Sequence, residues 1–167
     1  MVGSGPLFDK ATVLKVLEQV EDPEVPVLTI ADLGILRDVE IAGENITAII
    51  TPTYSGCPAM DMITVNIKAA MQEAGYQSVA VKLVLSPAWT TDWMTESGKQ
   101  KLKEYGIAPP VENTSDKSFL LGEEKVIPCP LCESKNTELL SQFGSTACKA
   151  LYRCKDCKEP FDYFKCH

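Results

Sequence analysis

Two Cys-x-x-Cys pairs, Cys129/Cys132 and Cys154/Cys157, stand near the end of the chain with 21 residues between them. Two residues inside each pair let both sulfurs of a tight turn face one ion, and a tetrahedral Zn²⁺ takes four such thiolates at about 2.3 Å. Between the pairs, Glu138-Leu139-Leu140 and Lys149-Ala150-Leu151-Tyr152-Arg153 flank Gly144-Ser145-Thr146, the pattern of a hairpin. Residues 126–167 are therefore expected to form a zinc ribbon. A pair of redox dithiols would not need two matched knuckles, and a rubredoxin-type iron site would use the same four ligands. So short a segment buries little apolar surface, so metal binding has to supply its folding free energy, on the order of 10 kcal/mol. With all four positions taken by protein, the Zn²⁺ is structural and the ribbon names no reaction.

The chain has 167 residues, 45% of them apolar, enough for one ordinary domain beside the ribbon. Seven cysteines beside a metal signature, with no apolar run long enough for a signal peptide or a membrane span, predict a cytoplasmic protein that does not bind membranes. The first 125 residues carry 10 Lys/Arg against 18 Asp/Glu, and the remainder 6 against 5. A nucleic-acid-binding ribbon needs a basic surface to neutralise phosphates, so this charge pattern argues against nucleic acid and for a protein partner.

Asp9 is placed to cap a first helix running to about Val20, ended by Asp22-Pro23. Strands are predicted over 34–41 and 45–51, joined by Ala42-Gly43-Glu44, and a longer helix from Pro58 to Ala74. A nearly continuous apolar run from Ser78 to Leu85 predicts a central strand covered on both faces, and a last helix is expected over 95–105. The expected fold class is α/β, a small mixed sheet with packed helices over residues 8–110. A Pro-Pro-led polar linker over 111–125 and the C-terminal zinc ribbon follow.

Cys57 sits directly before the helix that opens at Pro58. A thiol at a helix N-cap meets unpaired N–H groups and the positive dipole end, which predicts a lowered pKa and an activated thiolate; the alternative is a small cap residue buried under the sheet. Asp22 and Glu24 supply two carboxylates in a proline-constrained loop, either a plain turn or, beside Cys57, a transient iron site. Cys148 and Cys166 are left over from the metal count, either two packed thiols or a second pair that accepts iron or a cluster. Trp89 and Trp93 read as packing. The single histidine, His167, leaves no Ser-His-Asp or Cys-His constellation, and no enzymatic activity is expected.

Asp22-Pro23-Glu24-Val25-Pro26, Asp32-Leu33-Gly34, Thr51 through Cys57-Pro58, and Ser86-Pro87-Ala88-Trp89 through Trp93 resemble the small α/β domain of iron-sulfur assembly and targeting factors of the SufT type. The tail, Phe143-Gly144-Ser145-Thr146-Ala147-Cys148 through Cys166, resembles the D-protein family of bacterial phenylacetate degradation, associated with the phenylacetyl-CoA ring epoxidase. The resemblance implies an accessory factor that helps assemble the iron-sulfur cluster of that multicomponent oxygenase, in its reductase component. Epoxidase components or the assembly machinery would be its partners, and iron or a cluster a transient guest. It also implies that Asp22, Glu24, Thr51 and Cys57 form the functional cluster of the body. The alternative role is a non-catalytic structural subunit of the oxygenase.

Overall fold

The computed structural model describes residues 8–54, 56–111 and 126–165. Backbone contacts divide the chain into two compact units, Met1–Gly98 and Lys99–His167. The division falls inside a helix, earlier than position 110.

In the first unit, helix α1 (Lys10–Leu17) is capped by Asp9, whose carboxylate accepts the Thr12 N–H at 3.0 Å. It stops before Val20 because the chain tightens into turns, the Val20 N–H donating to the Leu17 carbonyl. Strands β1 (Leu36–Ala42) and β2 (Asn45–Ile50) form an antiparallel hairpin whose turn holds Gly43 at φ +64°. Helix α2 (Ala59–Glu73) then crosses over to β3 (Ser78–Leu83), which lies parallel to β2. Val13 and Leu17 of α1 and Ile63, Ile67 and Met71 of α2 recur at helical spacing and bury their side chains with Ile46 and Ile50 of the sheet.

The strand order is β1-β2-β3, so β2 is central and β3 is an edge. This corrects the expectation of a central strand over 78–85. Val79 and Val81 are half-buried, while Ala80, Lys82 and Leu83 are exposed. The apolar run reflects one lightly covered face and an open edge, which composition does not distinguish from two covered faces.

Trp89 and Trp93 are packing residues. The buried Trp89 indole N–H donates to the Leu33 carbonyl at 2.7 Å, and the Arg37 guanidinium lies 3.5 Å from the centre of the Trp93 ring. Helix α3 (Glu96–Glu104) begins in the first unit.

The second unit is a four-stranded sheet of order β4-β7-β6-β5, comprising β4 (Ile107–Ala108), β5 (Thr137–Ser141), β6 (Lys149–Cys154) and β7 (Pro160–Phe164). β5 and β6 form the antiparallel hairpin that the pattern predicted, and β7 pairs antiparallel with β6. Residues 107–108 were expected to close the α/β body. Instead they add a parallel strand to β7, which groups them with the ribbon. One small cluster of buried residues in the ribbon comprises Ala108, Ile127, Cys129, Ala150, Cys154, Phe161 and Tyr163. Most of the expected linker lies outside the described residues. No helix among the described residues is long and apolar enough to cross a membrane.

Candidate metal centre

The two knuckles share one local design. Cys129 donates its backbone N–H to the Ser134 carbonyl at 2.9 Å, and Cys154 to the Glu159 carbonyl at 3.0 Å, so each turn closes five residues on. The residue after each second cysteine, Glu133 (φ +62°) and Lys158 (φ +70°), takes the left-handed conformation, bending the chain so that both sulfurs of a pair point inward. The first cysteine of each pair is buried in the ribbon core and the second lies nearer the surface.

The four sulfurs lie within 4.8 Å of one another. Cys129 and Cys157 Sγ are 3.8 Å apart, and Cys132 and Cys154 Sγ 3.5 Å. Metal–sulfur bonds of about 2.3 Å in a tetrahedron space the sulfurs about 3.8 Å apart, so the site fits a four-thiolate metal ion. A polar clamp ties the knuckles together. Asp156, inside the second, accepts the Ser134 hydroxyl and, at 2.9 Å, the Asn136 amide from beyond the first. Both bonds hold the Asp156 carboxyl below its ordinary pKa.

Four thiols this close cannot all ionise without a cation among them. The Cys157 and Asp156 N–H groups bring Cys154 down to about 7, against the opposing effect of burial. The Glu159 N–H pulls Cys157 the same way, but burial and the neighbouring thiols outweigh it and push Cys157 up to about 12.

Cys148 does not join this group. It is buried immediately before β6, with its sulfur 3.0 Å from the Thr146 hydroxyl and its carbonyl accepting the Lys165 N–H at 2.9 Å. Cys166 lies outside the described residues.

In the first unit, Asp22 is buried, and one carboxylate oxygen accepts the N–H groups of Glu24 and Val25, each at 2.8 Å. That oxygen is therefore occupied in holding the turn. Thr51 is buried just past β2, its N–H bonded to the Ile35 carbonyl at 2.9 Å. Cys57 lies one residue before the helix cap, which is Pro58. Burial raises the Cys57 thiol pKa, and the nearby Glu24 carboxylate adds to the effect. The Ala59 N–H at the helix start and the Tyr54 and Thr53 hydroxyls pull it down, but less. The expected lowering is thus reversed: the helix terminus acts as predicted, and desolvation is larger. Thr53 and Tyr54 were missed as neighbours of the thiol, although both stand in the segment before it. Among the described residues, only the four knuckle cysteines gather three or more ligand atoms so closely; Asp22, Glu24 and Cys57 do not.

Cys57 in the metal-free protein is accordingly expected to alkylate more slowly at neutral pH than a free cysteine. Its rate should rise only above the ordinary thiol range near about 8.5. Peptide-resolved mass spectrometry after iodoacetamide pulses across pH measures this. A rate above that of a free thiol would mean that the helix terminus dominates after all.

An α/β domain of iron-sulfur-assembly type followed by a four-cysteine metal-binding β-ribbon is the class this architecture defines. Residues 10–83 match the iron-sulfur cluster assembly protein family, and residues 113–165 match the PaaD zinc beta ribbon domain. The chain is 54% identical to an Escherichia coli protein provisionally named as a component of 1,2-phenylacetyl-CoA epoxidase, over 90% of this chain and 88% of that protein. An Fe-S protein maturation auxiliary factor of Porphyromonas gingivalis is 30% identical, over 54% of this chain and 87% of its own. A crystal structure of a domain of unknown function, DUF59, from Bacillus anthracis superposes with a TM-score of 0.52 at 27% identity, over 56% of this chain and 90% of that one. The chain belongs to the PaaD family.

Proposed function

We propose that this protein is a cytoplasmic accessory factor that assembles or matures the iron-sulfur cluster of a multicomponent phenylacetyl-CoA epoxidase, acting on its reductase component before turnover. The observation that carries this reading is the joining, in one chain, of an iron-sulfur-assembly match over 10–83 to a ribbon whose four cysteine sulfurs lie within 4.8 Å of one another. A closed tetrahedral site leaves no coordination position for a substrate, which suits a structural Zn²⁺ and a non-enzymatic role. Transient contact with iron or a cluster falls to Cys57 and its neighbour Glu24, with Asp22 holding the loop and Thr51 just past the end of β2. A thiol kept protonated by burial favours release over retention: an arriving cation displaces the proton, and the proton competes again when the cation leaves. Its partners are proteins, either epoxidase components or the assembly machinery.

The name of the Escherichia coli relative, which makes that protein part of the epoxidase, favours a second reading, a structural subunit of the oxygenase. The two separate in a deletion strain. The maturation reading expects the oxygenase polypeptides to be made, growth on phenylacetate to fail, and the purified reductase to lack most of its iron-sulfur absorbance. A reductase with a full cluster from that strain would end the maturation reading in favour of the structural one.

A further inference from the structure

The two edges of the first sheet differ in kind. β1 carries Arg37, Asp38 and Glu40, an irregular register between Leu36 and Asp38, and an ion pair from Asp38 to Lys10. Charges and a bulge are devices that keep an edge from pairing with another chain. β3 has neither bulge nor proline and a single charge, Lys82. Its outer side pairs with no strand among the described residues, and Leu83 and Leu85 beyond it are 49% and 58% exposed. Because the Val84 N–H donates to the Ile50 carbonyl, strand alternation turns the backbone groups of Val79, Val81 and Leu83 outward.

We propose that β3 is the seam of a homodimer, pairing antiparallel with β3 of a second copy about a two-fold axis at Val81. The occupant is a second copy because the strand is complementary to itself in one register. With the axis normal to the sheet, both helical layers stay on one side, and directly opposed residues share a face. Val81 then meets Val81, Val79 meets Leu83, and Ala80 meets Lys82. A slip one way would set Lys82 against Lys82, like charges directly opposed. A slip the other way would carry Leu83 past the partner's strand to Gln77. The central register alone covers the exposed Leu83 without opposing the lysines, and it joins two three-stranded sheets into one of six strands.

Ala80 is exposed and faces away from the half-buried valines, so charges placed there test the register without disturbing the core. The full-length protein is expected to sediment as a dimer at micromolar concentration. Ala80→Glu, set against the partner's Lys82, should lower the dimer dissociation constant about fivefold or more, and Ala80→Lys should raise it similarly, since each pair occurs twice in a symmetric dimer. The double variant Ala80→Lys/Lys82→Glu should restore pairing. Circular dichroism and the unfolding midpoint of each variant check that the monomer is unaltered. A monomer at every attainable concentration would overturn the proposal and leave the edge to a strand of another protein. A dimer indifferent to all three variants would overturn it too, since association would then use another surface.

Discussion

Removing the metal with a chelator, or replacing Cys129 or Cys154 by Ser, is expected to unfold the ribbon and leave the first unit folded. Cys129 and Cys154, two members of the ribbon's buried cluster, are themselves candidate ligands, and the cluster includes two alanines. Such a core cannot hold three short antiparallel strands together, and a structural metal contributes on the order of 10 kcal/mol to domains of this kind. Both tryptophans, Trp89 and Trp93, belong to the first unit, so their emission should not change while hydrogen-exchange protection of β5, β6 and β7 disappears. Loss of protection in β1 and β2 as well would mean that the two units unfold as one. The metal should also become harder to hold as pH falls. Cys157, with its pKa pushed up to about 12, must lose a proton on binding even at mildly alkaline pH. The Cys132 thiol, also pushed up, must lose its proton too, and Cys154, at about 7, adds a further competing proton only below neutrality, so affinity should decline more steeply there.

Gly34→Ala is expected to cost about 2–4 kcal/mol of stability in the first unit, read from the denaturant midpoint. Gly34 sits at φ +71°, and a Cβ there would lie 2.4 Å from the Trp93 carbonyl oxygen and 2.7 Å from the Trp93 Cβ. That backbone cannot yield cheaply. The Trp93 N–H bonds the Thr90 carbonyl, the Thr95 N–H bonds the Asp32 carbonyl, and Arg37 lies over the ring. Gly43→Ala is the control, because Gly43 has a similar φ of +64° but nothing within 4 Å of an added Cβ. It should cost only the conformational strain, about 1–2 kcal/mol. Equal losses in the two variants would show that Trp93 moves aside, and that the close approach of the loop to β1 is not tightly held.

What could be read from the chain by itself is what depends on near neighbours. The Cys-x-x-Cys spacing picked out the four cysteines whose sulfurs come together, because a knuckle is a local turn and its two sulfurs are set by the intervening pair of residues. The hairpin of β1 and β2, and α2 with its buried Ile63 and Ile67, were legible because periodicity reports which side of an element is covered. Asp9 as a cap and Asp22 as a turn residue likewise bond to N–H groups only a few positions away.

Tertiary structure decided whatever depended on which distant segments came together. The apolar run of β3 specified a strand, but its place at the sheet edge follows from the crossover of α2 to the far side of β2. The two residues of β4 are too short to announce themselves, and they are a strand only because β7 lies alongside. Cys57 has the helix start that its sequence promised. Its proton affinity nonetheless rises, because burial and Glu24, contributed by packing and by a loop far away in sequence, outweigh three nearby donors. A local motif specifies the groups bonded to a thiol, whereas desolvation depends on everything the fold brings around it, and here desolvation is the larger effect.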